Sequence, residues 1–570
     1  MQIKQTAVRR DPHSLKESLK TLWLLLSLLP IAVLAQTTYL PQGAKENILI
    51  ERLEIKNCTD SVLNFSKTKP YSRKQFISHI GRMDSIAALS KVDLYNWRTA
   101  MMSNIEWAVG NRADYASKKP IWKNFYKTPA NLYEVNTESF FLVINPVFQY
   151  IVGAQNDYDR HLFLNSRGIT LRGRIADKIG FAAYMTDNQE RDPLYVQQFE
   201  NERQAVPGAG FYKYFKKDGY DYFDARGHIS FPVAKFIDVT FGYDKNFIGN
   251  GHRSLFLSDF SNSYLFLKLN TRIWKINYQN LFTELQTAER EGADVLIPKK
   301  YAAMHHLDIG VTKWLNIGVF EGVIFGRKDH FEFGYLNPVI FYRSIEQQNG
   351  SFDNAVTGVD AKANVAHHLQ FYGQFLLDEF NLRESRKGSG WWGNKYGIQA
   401  GAKYIDAFNI SNLDLQLETN IVRPFTYSHR DSVANYTHYN QPLAHPLGAN
   451  FKELIGIARY QPAPKWLLQA KTIYYMQGRD IDSTSFGSNI FYPNVPPYRT
   501  KDYGYEIGAG VKTKTALASL LLSYELRSNL FLETSLLFRK RNATAYFSSS
   551  NTTVLSAGIR WNMHRREFDF

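Results

Sequence analysis

Cysteine is almost missing from this 570-residue chain, which contains only Cys58 and therefore cannot form an internal disulfide. Long apolar runs are missing too, because after residue 35 none approaches the roughly 20 residues that a membrane-spanning helix needs. These absences exclude a disulfide-stabilised scaffold and a helical membrane domain downstream of that point. If this part of the chain lies in a membrane, it must form a closed barrel, which pairs all its backbone groups internally.

Acidic residues are fewer than basic ones, 53 against 68, which gives a net charge of +15 at pH 7. This balance favours an anionic partner. We expect lipopolysaccharide or an acidic polysaccharide and no nucleic acid, because an exported chain rarely meets nucleic acid. Aromatic residues make up 15% of the chain. That density suits girdles at membrane interfaces or surfaces that stack on sugar rings.

The N-terminus is typical of an export signal. Basic residues precede the uncharged run Thr21–Ala35, which ends in a Val-Leu-Ala cleavage pattern. A membrane anchor is the alternative, but the run is short for a span and contains Pro30. We therefore predict a signal peptide over 1–35, and we expect no lipid anchor because no cysteine follows the cleavage site.

Residues 36–130 show the apolar spacing of helices. Ser72 and Gln75 fit a capping box that opens one helix. Trp97 and Met101 mark the apolar face of a second helix, and we expect these side chains in a packed core. The sequence therefore predicts a small helical segment over 36–130.

From about Ser139 onwards, apolar and polar residues alternate, which is the period of β-strands. The pattern is clearest in the segments 169–175, 274–278, 413–421 and 518–524. In a barrel the apolar face meets lipid and the polar face lines the lumen, whereas a β-sandwich would need a second sheet over the apolar face. We predict that the barrel spans 131–570.

Short and long connections alternate along this region, as they do in outer-membrane barrels with tight periplasmic turns and long outer loops. The long connections are 187–224, 244–262, 286–302, 423–450 and 477–502. About nineteen candidate strands can be counted, but bacterial single-chain barrels have even numbers. We therefore predict a mostly β fold, an outer-membrane antiparallel β-barrel of roughly 18 strands with a small N-terminal helical periplasmic domain.

The chain ends in an amphipathic pattern and a terminal aromatic residue. Leu555, Ala557, Ile559 and Trp561 alternate with polar or small neighbours, and the last residue is Phe570. This arrangement resembles the signal by which the barrel-assembly machinery recognises its clients. We therefore predict Phe570 as the assembly signal and that machinery as a partner.

Two polar segments, 342–384 and 423–453, supply charged residues that we expect to line the lumen as a structural network. They are Arg343, Glu346, Asp353, Asp378, Glu379, Arg423, His429, His445 and Glu453. Saccharide binding, ion binding and catalysis are the alternatives for this set. Its histidines and acids lack the tight spacing of a metal-binding motif, so we expect no metal, no cofactor and no enzymatic activity.

The stretch Phe241–Asn270 raises the question of a phosphate-binding loop, because Gly249-Asn250-Gly251 precedes a basic residue. A phosphate loop needs a helix after its glycines. Here the following residues alternate as in a strand. The glycines therefore join two strands of a hairpin, and we predict an outer loop over 244–262.

The run FGYDKNFIGNGHRSLFLSDFSNSYLFLKL resembles the signature of the capsule-assembly Wzi family, as do NPVIFYRSIEQQNGSFDN and YGQFLLDEF. The segments RPFTYSH and YNQPLAHPLGANFKE are more similar to RemB gliding-motility proteins. The resemblance covers most of the mature chain. It implies a non-enzymatic outer-membrane barrel of a Gram-negative bacterium, with a periplasmic helical bundle, that holds extracellular polysaccharide at the cell surface.

We therefore expect a barrel that binds or anchors capsular polysaccharide, with surface lipoproteins or secretion and motility components as further partners. The expected site lies on long outer loops that combine cations with aromatics: Tyr212, Lys213, Tyr214, Lys216, Lys217, Lys245, His252 and Arg253. These basic residues could instead pair with lipopolysaccharide phosphates. The alternative class is an outer-membrane porin or specific transporter, which would conduct ions.

The mature N-terminus is predicted at Gln36, because the cleavage pattern ends at Ala35. The intact mass of the protein extracted from membranes should match residues 36–570. A mass that retains residues 1–35 would contradict the signal-peptide assignment.

Overall fold

A computed structural model describes residues 37–570 except 84–88, 119, 288–295, 329, 483 and 545. The predicted signal peptide and Gln36 lie outside the described residues. Eighteen long antiparallel strands form a closed barrel in which each strand pairs with its neighbours in chain order. The last strand closes on the first, with Ala557 opposite Val152. This confirms the predicted fold class and strand number.

The barrel strands have the following bounds. They are β1 Phe140–Gln155, β2 Leu162–Ile175, β3 Ile179–Arg191, β4 Gly219–Ala234, β5 Ile237–Asp244, β6 Tyr264–Ile273, β7 Ile276–Gln286, β8 Lys299–Gly310, β9 Leu315–Phe325, β10 Asn354–Val365, β11 Leu369–Glu379, β12 Lys395–Tyr404, β13 Leu413–Val422, β14 Phe451–Tyr460, β15 Trp466–Arg479, β16 Val511–Arg527, β17 Leu530–Ala543 and β18 Ser550–Trp561.

The two faces of each strand differ in the way that the alternation predicts. In β13, the side chain of Leu417 points outward and is 57% exposed, whereas Glu418 and Asn420 are fully buried inside. The same outward apolar pattern recurs around the barrel, for example at Leu454 in β14 and Leu520 in β16. The outer surface is therefore apolar enough to face lipid, and the inner surface is polar.

Connections of unequal length define two ends of the barrel. At one end, here called the turn end, strands are joined by tight turns such as 176–178 and 528–529. At the other, the loop end, the connections include 192–218, 245–263, 423–450 and 480–510. The alternation of short and long connections persists through the last hundred residues. β16 reaches Arg527, so the short turn 528–529 after it lies at the turn end.

The described part of the N-terminal segment contains three α-helices, α1 Lys45–Asn57, α2 Arg73–Gly81 and α3 Lys91–Ser103. Half of the predicted capping box is present, since the Ser72 hydroxyl accepts a hydrogen bond from the backbone N–H of Gln75. Among the described residues, none of the helices is long and apolar enough to cross a membrane.

This segment packs against the turn end and also enters the lumen. Between α1 and α2, Thr68–Lys69 pairs in antiparallel fashion with Phe247–Ile248 of the 245–263 loop. Two segments that approach from opposite ends of the barrel therefore meet inside it.

Buried ion pairs hold the N-terminal segment to the inner wall. The Lys67 ammonium contacts Asp360 and lies 3.0 Å from Asp308. Lys362 of β10 contacts Glu54 and donates to the carbonyl oxygen of Asn64 over 2.6 Å. Because each of these lysines is desolvated, its acidic partners are needed to keep the charge inside the barrel.

Loops from the other end complete the filling of the lumen. A barrel of 16–18 strands is wide enough for an aqueous channel unless something occupies it. Here Leu255, Phe256 and Leu257 of the 245–263 loop are fully buried, and Phe256 stacks on Phe320 of β9 with ring centroids 4.6 Å apart. Tyr427, Tyr436 and Leu443 of the 423–450 loop join the same apolar core.

Replacing Lys67 with Met should release the N-terminal segment more readily, because Asp308 and Asp360 lose their shared cation. Breaking a buried pair in this way costs about 3–5 kcal/mol. The measurement is the urea concentration at which limited proteolysis removes the N-terminal segment of the folded protein. Lys91→Met, at the exposed start of α3, is the control and should change the midpoint little. Equal midpoints for the two variants would contradict the anchoring role of Lys67.

Candidate functional site

One wall carboxylate binds the backbone of the 245–263 loop inside the barrel. Glu418 of β13 accepts hydrogen bonds from the backbone N–H groups of His252 and Arg253, at 2.6 and 3.0 Å, and from the Tyr372 hydroxyl at 2.8 Å. A Cβ on Gly251 would lie 2.6 Å from a Glu418 oxygen, so only glycine allows this approach. The glycine-rich turn therefore binds an anion, but that anion is the protein's own carboxylate.

This geometry corrects the prediction that Lys245, His252 and Arg253 project from an exposed outer loop. The loop folds inward because its apolar residues, Leu255 to Leu257, pack in the lumen. Arg253 is only 7% exposed. Lys245 donates to the backbone oxygen of Asp259 over 3.0 Å, and burial, together with the nearby Arg226, lowers the pKa of Lys245 to about 7.

The C-terminal residues Asn562–Phe570, here called the tail, leave the last strand and run back inside the barrel. The Asp569 carboxylate contacts three basic side chains: Arg253 at 2.9 Å, His252 at 2.8 Å and Lys471 at 2.6 Å. Nearer the turn end, Arg565 contacts Glu533 of β17 at 2.5 Å. The tail thus joins the wall of the barrel to the inward-folded loop.

Phe570 does not occupy the position that the assembly-signal prediction assumed. The last strand ends at Trp561, and the ring of Phe570 lies inside among Tyr195, Phe199 and Phe260, with centroids 4.9 to 6.2 Å away. The physical reason is the charge of the tail, which carries His564 and three consecutive charged residues that pair with inward-facing side chains.

The electrostatics of the tail are dominated by Asp569. Burial alone would raise its pKa, but Arg253, Lys471 and His252 outweigh that effect and hold the pKa well below its usual value. Asp569 therefore stays ionised at neutral pH and acts as the common anion for three basic side chains.

A cavity of about 680 Å³ remains between the tail, the N-terminal segment and the barrel wall. Lys and Arg outnumber Asp and Glu along its lining, which includes Lys45, Arg226, Lys245 and Arg459. The remaining space inside the barrel is thus electropositive.

The structure divides the predicted lumen network into separate clusters. His445 contacts Glu453 at 2.7 Å deep in the lumen, and Glu453 also accepts from Asn420 at 2.9 Å and lies 3.6 Å from Arg253. This pair belongs with the Glu418 contacts, which the sequence analysis missed although Glu418 lies on a clearly alternating strand.

The other predicted members lie nearer the loop end. Asp378 pairs with Lys395 at 3.0 Å, while Glu379 is half-exposed and 3.4 Å from the same lysine. Arg423 donates to backbone carbonyl oxygens, including that of Asn394 at 2.8 Å.

The four remaining members lie within the long loops themselves. Arg343 contacts Glu346 at 2.8 Å within one short helix, Tyr342–Gln348, and Asp353 pairs with Arg327 at 2.6 Å. The ring of His429 accepts from the backbone of Asp431 at 3.2 Å. These residues are joined locally and do not form a single network.

The predicted residues of the 192–218 loop form an exposed basic and aromatic surface. Lys213–Phe215 pairs with Gly219–Asp221 as a small hairpin at the loop end, here called the rim hairpin. Lys213, Lys216 and Lys217 are exposed, and Tyr214 is 59% exposed. Tyr212 is buried and supports the hairpin from below, with its ring 4.7 Å from that of Tyr220.

Among solved structures, the chain is similar to Wzi, described as an outer membrane protein involved in group 1 capsule assembly in Escherichia coli and a carbohydrate-binding β-barrel. The TM-score is 0.54 at 13% identity, and the match covers 93% of this chain and 100% of Wzi.

Two further structures are similar over a smaller share of the chain. OprD of Pseudomonas aeruginosa matches with a TM-score of 0.41 at 11% identity, over 73% of this chain and 94% of that one. OccAB2 of Acinetobacter baumannii matches with a TM-score of 0.40 at 11% identity, over 74% and 98%. No protein-family model matches the sequence, and no curated protein matches it. At such identities the likeness to Wzi establishes the fold alone, that of an outer-membrane β-barrel.

Replacing Asp569 with Asn should loosen the tail and the 245–263 loop, because Arg253 loses its nearest carboxylate and Lys471 keeps only Glu567. We expect a loss of about 3–5 kcal/mol in the free energy of unfolding. The control is Asp187→Asn, whose ion pair with Arg167 is exposed on both sides, 41% and 61%, so solvent screening should limit the loss to about 0–1 kcal/mol. Urea unfolding of the folded barrel measures both.

The pH dependence of this difference follows from the lowered pKa of Asp569. The stabilisation should be fully present above the ordinary Asp pKa of about 3.9 and should fade as pH falls towards the lower pKa of the folded state. A gap between the native protein and Asp569→Asn that is as large at pH 2 as at pH 7 would contradict the assignment.

Proposed function

We propose that this protein is a non-enzymatic barrel of the outer membrane of a Gram-negative bacterium, which binds or anchors an acidic extracellular or capsular polysaccharide at the cell surface. The observation that carries the proposal is the rim hairpin, where three exposed lysines flank an exposed tyrosine on a paired strand. Short turns face the periplasm in such barrels, so the rim hairpin would face the cell exterior.

The chemistry of the rim hairpin suits an anionic glycan. The face of Tyr214 can stack on a sugar ring, and Lys213, Lys216 and Lys217 can meet carboxylates. Each exposed ionic contact is worth only about 0–1 kcal/mol. Affinity for a long polymer must therefore come from repeated contacts, and it should fall as salt rises.

The filling of the lumen supports a surface role over a diffusion pore or transporter. The N-terminal segment, the 245–263 loop, the 423–450 loop and the tail all occupy the interior. The basic residues that line the remaining cavity are set among these segments and would be reached only by molecules that pass them. Surface lipoproteins and secretion or motility components are partners that such an anchor would serve.

The proposal predicts that Lys213→Gln, Lys216→Gln and Lys217→Gln together reduce polysaccharide retention on cells severalfold, because the exposed positive charge at the rim hairpin is lost. The assay is the amount of cell-bound polysaccharide in cells that make it normally. The matched control changes three exposed lysines at the turn end, Lys178, Lys235 and Lys275, to Gln. Lys245 and Arg253 are left intact, because their loss would disturb the interior.

Three outcomes would count against the proposal. Unchanged retention in the rim variant would remove the rim hairpin as the binding site. If retention is unchanged but the barrel loses thermal stability in lipopolysaccharide, the lysines bind lipid phosphates instead. A loss of retention in the turn-end control as well would show that net charge alone is responsible.

A further inference from the structure

Three carboxylates meet at the loop end where β3 passes into the helix Leu194–Arg203, here called the loop helix. Glu190 lies near the end of β3, Asp192 follows it, and Glu200 lies on the loop helix. Glu190 and Glu200 are fully buried and Asp192 is 4% exposed. One oxygen from each carboxylate can be chosen so that the three lie within 4.8 Å of one another.

The partners of these carboxylates are unequal. Glu190 is the best satisfied: its Oε2 accepts from Arg566 at 2.6 Å and from the Tyr222 hydroxyl at 3.2 Å, whereas its Oε1 accepts only from Arg566 at 3.2 Å and keeps a lone pair for a further partner. In contrast, within the described part of the chain neither oxygen of Glu200 has a hydrogen-bond partner, and Oδ2 of Asp192 has none. Buried carboxylate oxygens without donors are costly, because they have given up water and gained nothing.

The charges of these side chains are also unbalanced. Glu190, Asp192 and Glu200 together carry three negative charges when ionised, and Arg566 supplies one positive charge. Either protons or a cation must therefore offset the two remaining charges.

We propose that Glu190, Asp192 and Glu200 form a binding site for a hard divalent cation, with Ca²⁺ as the expected ion. Oxygens that all lie within 4.8 Å of one another are close enough to share one ion at the roughly 2.3–2.6 Å of Ca²⁺–oxygen bonds. Three carboxylates are ligands that Ca²⁺ prefers, and its charge balances the excess. Mg²⁺ fits less well, because it keeps several waters and demands stricter octahedral geometry.

The site has a structural consequence for the surface above it. The ion would tie the end of β3 to the loop helix, and the same connection carries the rim hairpin at Lys213–Phe215. It would also lie beside Arg566 of the tail. The inference does not depend on the polysaccharide proposal, because it rests on the carboxylates alone.

Terbium luminescence can test the site directly, since Tb³⁺ enters Ca²⁺ sites and is excited by nearby tyrosines such as Tyr222. The full-length folded barrel is freed of lipopolysaccharide, whose phosphates also bind cations, and stripped with a chelator. We expect one saturable Tb³⁺ signal that Ca²⁺ displaces at lower concentration than Mg²⁺. Glu200→Gln should weaken Tb³⁺ binding at least about tenfold, a cost typical even of residues that only support metal ligands.

The matched control is Glu202→Gln on the same helix, whose side chain is 43% exposed and contacts Arg479 at 3.4 Å. This variant should bind Tb³⁺ like the native protein. If Glu200→Gln does not fold, Asp192→Asn replaces it, and the native titration alone still decides the matter. A folded native protein without a saturable, Ca²⁺-displaceable signal would overturn the site and leave Asp192 and Glu200 as a pair that shares a proton. An equal signal in Glu200→Gln would overturn it too.

Discussion

The inner wall of this eighteen-stranded barrel carries buried charged side chains that its own strands pair only in part, as Arg560 pairs with Glu533. The strands alternate, so every second residue points inward, and the opening is too wide for side chains on opposite walls to meet. Glu418 shows the consequence, since its buried carboxylate is satisfied by backbone N–H groups of a loop that reaches it from the loop end. Asp308 and Asp360 are satisfied in the same way from the turn end by Lys67.

This need for partners explains why three parts of the chain converge inside the barrel. The 245–263 loop pairs with the N-terminal segment through Phe247–Ile248. Its Arg253 side chain forms an ion pair with Asp569 of the tail. Each contact gives a partner to a charge or a backbone group that would otherwise be buried without one. The rim hairpin, in contrast, keeps its lysines in solvent and is free to meet a ligand.

The fold was predictable from the sequence because strand alternation and connection length are local signals. Glu418 could be assigned to an inward face from its neighbours, but its partners in the 245–263 loop lie 165 and 166 residues away and leave no periodic trace. One signal was present: Leu255, Phe256 and Leu257 are three consecutive apolar residues that an exposed loop would not favour. Similarly, the three consecutive charges from Arg565 to Glu567 are unsuited to a membrane strand and marked the tail as separate from β18.

Single-channel recording in planar bilayers tests the central claim that these segments fill the barrel. The native protein, reconstituted beside an open porin as a positive control, should give no sustained conductance steps, because the N-terminal segment, the loops and the tail are held by buried ion pairs and apolar packing. A steady conductance of the native protein comparable with that of the open porin would contradict the account.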